Sequence, residues 1–189
     1  MPTPKGSRRR DEILSAAVSL LISEGAEAVS HRAVARRADI GLGTVTYHYP
    51  AVDDLRGAAM LARADADVER MRQARLRVPL TRRDARDAAA LVVTLLLPET
   101  RLELIAWCEA YVRDARAPGA TDGARRVRGA ARALVSDVLG RSGRATAPPA
   151  DLVLAIVDGA VLGALADGED LDRIRARATA ALAFVLHDG

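Results

Sequence analysis

Residues 30–55 read SHRAVARRADIGLGTVTYHYPAVDDL, and their spacing decides the fold. Ser30 offers a side-chain oxygen to the free N–H groups of a first helix on which Val34, Ala35 and Ala38 share one face. Asp39 stands where the chain must turn through the left-handed region, which Asp tolerates better than most residues; Ile40 follows as an apolar plug under the corner. Gly41 caps a second helix, Leu42 to His48, and Pro50 ends it by denying helical geometry to Tyr49. Two helices joined this tightly make a helix-turn-helix. Val45 and Tyr49, four apart, face the first helix together with Ile40, while Leu42, Gly43, Thr46 and Tyr47 point away from it. That outward face is small and polar enough to enter a groove. Ala35 lets the two helices cross closely.

On the N-terminal side, MPTPKGSRRR is basic but has no apolar run behind it, so it is not a signal peptide. Lys5, Arg8, Arg9 and Arg10 fit a mobile arm laid on a phosphate backbone or in a minor groove, and they equally fit a solubilising tail. From Asp11 onward, Ile13, Leu14, Ala17, Val18, Leu21 and Ile22 form one apolar helix face, which Gly25 ends. These are the three helices of a small domain.

The order Ser30, Arg32, Ala35, Ile40, Thr44, Tyr47, His48, Tyr49, Asp54, Leu55 resembles the DNA-binding domain of the TetR family, the tetracycline-repressor-like regulators of bacteria. The family pattern is roughly T-x-R-x-I-A-x-x-A-G-V-S-x-G-T-L-Y-x-H-F-x-S-K-E-x-L, and the likeness covers about residues 8 to 56. Three positions depart from it. Thr46 stands where the family most often has Tyr, Val52 where it usually has a phosphate-touching Lys, and Asp39 where it has the turn Gly. The resemblance implies an all-α protein of about nine helices. It also implies three parts: a flexible basic arm at 1–7, a helix-turn-helix domain at 8–56, and a helical effector-binding and dimerisation domain at 57–189.

Downstream, Asp53 and Asp54 place negative charge at the start of a long helix from Ala51 to about Arg77, where the helix dipole favours it. Pro79 breaks that helix, and Thr81 with Asp84 is expected to cap the next. Ala88 to Leu97, AAALVVTLLL, is too short to span a bilayer and reads as a helix buried on most sides. Further helices are expected at Glu99 to Arg113, Asp122 to Leu139, Ala150 to Ala166 and Leu171 to His187. APGATDG at 117–123 reads as a loop and 140–149 as a disordered stretch.

With 189 residues, 50% hydrophobic and 28% charged, the chain can bury one sizeable core plus a small appended domain. Its single Cys excludes an internal disulfide framework and fits a reducing cytoplasm. A net charge of +3 permits nucleic-acid binding without arguing for it. No nucleophile with a plausible base, no phosphate loop and no metal set appears, so neither an enzyme nor a cofactor is expected. His31 and His48 lack the Cys or carboxylate cluster that would complete a metal site.

Candidate contacts follow from chemistry and from the resemblance. Arg32 can grip a guanine O6 and N7 together, and it matches a base-reading arginine of the family pattern. Leu42 and Thr46 offer methyls to thymine, and Gly43 lets the helix approach closely. Ser30, His31, Thr44, Tyr47 and His48 can donate to phosphates and set register. One short helix reads only a few base pairs, so two copies on palindromic double-stranded DNA, about one turn or ~34 Å apart, are expected.

For the second copy, Ala155, Gly159 and Gly163 form a small-residue stripe, and Ile174, Ala178, Ala181 and Val185 form a face on the last helix. Both faces suit a homodimer, whose paired last helices resemble the four-helix arrangement of TetR-like proteins; they also suit closure of a monomer core. Met60, Leu91, Leu95, Trp107, Cys108 and Tyr111 collect the larger apolar groups of the body. They fit a pocket for a small, mostly apolar effector, and they equally fit plain core filling. The expectation is a homodimeric, cytoplasmic DNA-binding repressor released by that effector. The alternative is a helical interaction module of the same fold with weak or lost DNA binding.

Overall fold

The computed structural model describes residues 4–116, 122–144 and 147–187. Residues 117–121 of the expected APGATDG loop, and 145 and 146 of the expected disordered stretch, lie outside the described residues. The described elements are α1 (Pro4–Glu24), a 3-10 turn (Ala26–Ala28), α2 (His31–Ala38), α3 (Leu42–His48), α4 (Val52–Arg77), α5 (Ala85–Leu96), α6 (Arg101–Arg116), α7 (Gly123–Arg141), α8 (Ala150–Ala166) and α9 (Leu171–Leu186). Among the described residues there is no strand, and the fold is all-α as expected.

Two compact units divide the chain. The first holds Met1–Ala66 and Glu109–Ala124, the second Asp67–Cys108 and Arg125–Gly189. In the first, α1 packs on α2 and on the 3-10 turn, and α2 packs on α3. Ile13, Ala17 and Leu20 of α1, Val29, Val34 of α2, Val45 of α3 and Leu55 and Ala59 of α4 make its core. Fully burying each Leu, Ile or Val contributes roughly 1.5–3 kcal/mol.

Helix α1 starts well before the expected Asp11. Arg8 and Arg9 reach one turn ahead to Glu12, at 3.3 and 2.6 Å, and Arg is a good helix former, so the basic run extends the helix. Residues 4–7 of the expected arm are therefore helical.

In the second unit, α9 packs on both α5 and α8. Its buried line is Ile174, Ala178, Leu182 and Leu186; α5 buries Ala85, Ala88, Ala89, Val92, Val93 and Leu96. Two caps differ from expectation. Asp84 itself is the N-cap of α5, its carboxylate accepting from the Asp87 N–H at 2.8 Å, while the Thr81 N–H donates to the Arg141 carbonyl at 3.0 Å. A short Asp caps better from the N-cap position than from three residues inside the helix. Helix α6 opens with a reciprocal box that sequence reading missed: Thr100 Oγ1 accepts from the Glu103 N–H, and Glu103 Oε2 accepts from the Thr100 N–H at 3.1 Å. The described part of 140–149 is anchored rather than loose. Ser142 is fully buried, its carbonyl accepts from the Arg83 N–H, and Arg144 donates to the Leu186 carbonyl.

Candidate nucleic-acid interface

The reading head is built from local chemistry. Ser30 Oγ accepts from the Ala33 N–H at 3.3 Å and starts α2. Asp39 turns the chain at φ 53° and ψ 50°, and the Ile40 N–H returns to the Ala35 carbonyl at 3.0 Å. A left-handed residue other than Gly costs about 1–2 kcal/mol, and Asp is among the few that visit this region routinely. Gly41 precedes α3, whose Val45 is fully buried.

Tyr49 closes α3 and joins three elements. Its N–H donates to the Val45 carbonyl at 2.9 Å, its carbonyl accepts from His31 Nε2 at 2.7 Å, and its hydroxyl accepts from Arg10 Nε at 3.2 Å. The Arg10 guanidinium also stands 5.5 Å from the Tyr49 ring centroid. The hydrogen bond to the Tyr49 hydroxyl raises the Arg10 pKa above its ordinary value. Two more arginines brace the head. Arg37 donates to Ser19 Oγ at 2.8 Å and to Glu24 at 2.9 Å, and Arg56 donates to the Val29 carbonyl at 3.0 Å. Arg10 was marked in sequence only as part of a basic arm, and the bracing roles of Arg10, Arg37 and Arg56 gave no signal, because an arginine bound to a backbone carbonyl or a distant side chain carries no local pattern.

Against this frame stands the outward face. Arg32, Leu42, Gly43 and Tyr47 are exposed, Tyr47 to 83%; Ser30, Thr44, Thr46 and His48 are half-buried. A Cβ at Gly43 would meet nothing within 4 Å in the chain itself. Thr46 Oγ1 donates within its own helix toward the Leu42 and Gly43 carbonyls, which leaves its methyl as the part offered outward. Tyr47 and His48 stack edge to face with ring centroids 5.3 Å apart.

His31, an expected phosphate donor, has one ring nitrogen already engaged within the chain. As the first residue of α2 its ring lies beside the end of α3, and Nε2 is taken by the Tyr49 carbonyl. His31→Ala is expected to remove about 1 kcal/mol of fold stability in thermal unfolding. It should lower DNA affinity evenly across sequences while leaving the slope of log affinity against log salt unchanged. A shallower slope would mean that His31 touches phosphate after all.

The remaining expected residues are divided between the two units. Met60 packs against the head's core in the first unit, which also holds Tyr111. Leu91, Leu95, Trp107 and Cys108 belong to the second unit, where Leu91 and Leu95 line a cleft and Trp107 is buried. Of the expected dimer residues, Ala155, Gly159 and Val185 are exposed, Gly163 and Ala181 half-buried. Ile174 and Ala178 are fully buried in their own chain, because they lie on the line with which α9 packs. Among the described residues no group of three or more His, Cys, Asp or Glu could hold a metal ion, and no helix is long and apolar enough to cross a membrane.

Residues 13–59 match the model described as bacterial regulatory proteins, tetR family, and residues 80–188 match the tetracyclin repressor-like C-terminal domain. No curated protein matches the chain. Among solved structures, SCO7518 of Streptomyces coelicolor A3(2), described as a transcriptional regulator, is 25% identical, with a TM-score of 0.66 over 95% of this chain and 98% of its own. The multidrug binding protein EbrR complexed with proflavin is 26% identical, with a TM-score of 0.62 over 94% and 99%. A regulator from Saccharomonospora viridis in complex with choline shares the fold at 19% identity, with a TM-score of 0.73 over 96% and 97%.

Proposed function

Because the chain belongs to the tetR family of bacterial regulatory proteins, we propose that it is a homodimeric repressor, released from a palindromic operator by a small, mostly apolar effector. Residues 8–56 are the DNA-binding domain in this reading, and 57–189 bind effector and form the dimer. The observation that carries it is the outward face of α3. An exposed Leu42, Gly43 and Tyr47 stand beside an exposed Arg32, while Val45 and Tyr49 hold the helix from behind.

In the complex Arg32 reads a guanine, and Leu42 and the Thr46 methyl meet thymine methyls. Ser30, Thr44, Tyr47 and His48 hold phosphates, and His31 positions the reading helix. The exposed apolar residues of α8 and α9 meet those of the second copy. Proflavin in EbrR, a relative at 26% identity, supports a small-molecule effector here. Helix α4, Val52–Arg77, carries residues of both units. By linkage, an effector that weakens DNA binding must itself bind the DNA-bound form less tightly.

Selection of bound duplex DNA from a random pool, repeated at rising salt, tests the proposal. A palindrome should emerge whose half-sites lie about one turn, ~34 Å, apart, with log affinity falling linearly in log salt. Salt-sensitive binding without a recovered motif would mark a non-specific DNA binder. Val52, in place of the usual phosphate-touching Lys, favours the other reading, an interaction module; absence of binding at low salt would establish it.

A further inference from the structure

A cleft of about 360 Å³ lies within the second unit, between the C-terminal half of α4, α5 and residues 97–99. At about 30 Å³ per water-sized group it holds roughly a dozen heavy atoms, and it falls in the size range of small-molecule sites. Its wall is mostly apolar, made by Ala74, Val78, Leu91, Leu95 and Leu97, with Gln73 and Thr94 as its neutral polar groups. The charged groups lining it are two guanidiniums, Arg70 and Arg77, and one carboxylate, Glu99.

Arg70 is already at work there. Its Nη1 and Nη2 donate to the Leu95 and Leu96 carbonyls at 2.9 and 3.1 Å, and Asp67 Oδ1 stands 3.6 Å away. These are the last carbonyls of α5, the negative end of its dipole, so Arg70 ties α4 to the end of α5 by the interaction that end favours. A guanidinium has five N–H donors, and the two carbonyls use two. Arg77 is exposed at the end of α4.

We propose that this cleft is the effector site and that its ligand is an amphipathic monoanion, a carboxylate on an apolar body of about a dozen heavy atoms. The inference rests on the reading of the chain as an effector-controlled regulator. The apolar body lies on Val78, Leu91, Leu95 and Leu97. The carboxylate pairs with Arg77 and competes with the α5 carbonyls for Arg70, since a charged acceptor binds a guanidinium more strongly than a neutral one. Drawing Arg70 away loosens the tie between α4 and α5, and α4 is the helix that leads out of the reading head. A cationic ligand meets Arg77 unopposed by Asp67, which is already paired with Arg70, and finds the dipole end of α5 taken. A neutral one gains the apolar wall and the Gln73 and Thr94 side chains but no ion pair.

The test uses the full chain and three probes of one tail length: decanoate, 1-decanol and decyltrimethylammonium. Calorimetry should show one decanoate per chain, bound at least tenfold more tightly than either control. Arg77→Gln should weaken decanoate at least fivefold without altering 1-decanol, and Leu91→Trp, which fills the cleft with an apolar group, should abolish decanoate binding in a folded protein. Decanoate should also release DNA from the wild type but not from Leu91→Trp. A chain that binds DNA but not decanoate overturns the assignment, as does decanoate that survives Leu91→Trp, binds no better than 1-decanol, or leaves DNA affinity unchanged. A chain that never binds duplex DNA fails the regulator reading, whatever the calorimetry shows.

Discussion

Arg32→Ala is expected to leave a folded protein whose selected DNA site is lost or relaxed. Arg32 is exposed at the second position of α2, and the ion pairs that brace the head are made instead by Arg37 and Arg56. Removing it should therefore change stability by no more than about 0.5 kcal/mol. The effect on readout is far larger. A bidentate arginine on guanine discriminates by about 1–3 kcal/mol, and a dimer uses two copies, so operator affinity should fall by roughly 2–6 kcal/mol, about 30-fold to about 10⁴-fold. Arg32→Lys should recover only part of the loss, because a point charge lacks the fork that meets O6 and N7 together. Gel-shift titration on the selected operator and on a scrambled duplex separates base readout from general charge. A similar loss on both would make Arg32 a phosphate contact and move specificity elsewhere.

That weight falls on Arg32 because the reading helix LGTVTYH carries no Asn, Gln, Arg or Lys. With Thr46 Oγ1 engaged by its own helix, the polar groups left to α3 are the Thr44 and Tyr47 hydroxyls and His48, beside its methyls. Specificity should then also draw on DNA shape, giving a site defined weakly at many positions.

The α2–α3 turn and the end of α3 were legible in sequence because their signals are local, whereas the start of α1 was not. Ser30 caps, Asp39 turns left-handed, and Pro50 stops α3 at His48, each within four residues of what it controls. The bounds of α8, and α9 to within one residue, were equally legible from the Asp167–Asp170 connection. What spacing could not supply was partner identity. A period of 3.6 places Ile174, Ala178, Ala181 and Val185 near one another on α9, yet the line that packs inward is Ile174, Ala178, Leu182, Leu186. The two stripes are adjacent, and only the positions of α5 and α8 decide between them. Met60 was legible as apolar but not as part of the head's core, and the α4–α5 cleft was marked in sequence only through Leu91 and Leu95. Its arginines were indistinguishable from the many solvated ones.

The stripe that faces outward gives the second large effect. On α8, Leu152, Ala155, Gly159, Leu162 and Ala166 are exposed at steps of three and four, Leu162 to 54%; on α9, Phe184 is exposed to 80%. An apolar face of this kind marks an interaction surface, and an isologous pair buries it against its own copy. Gly159 separates the two fates of this face. A Cβ there meets nothing within 4 Å in the chain itself, and Glu is a better helix former than Gly, so Gly159→Glu should leave the helical content of the monomer intact. In a dimer the same change places a charge in an apolar contact twice, at a cost of about 3 kcal/mol or more, over a hundredfold in the dimer dissociation constant. Sedimentation should show a dimer for the wild type and a folded monomer for Gly159→Glu, and operator affinity should fall with it, since a lone head keeps one half-site. If Gly159→Glu remained dimeric with unchanged affinity, the copies would have to meet through another face, and the small-residue stripe would have no role in holding the two heads on one palindrome.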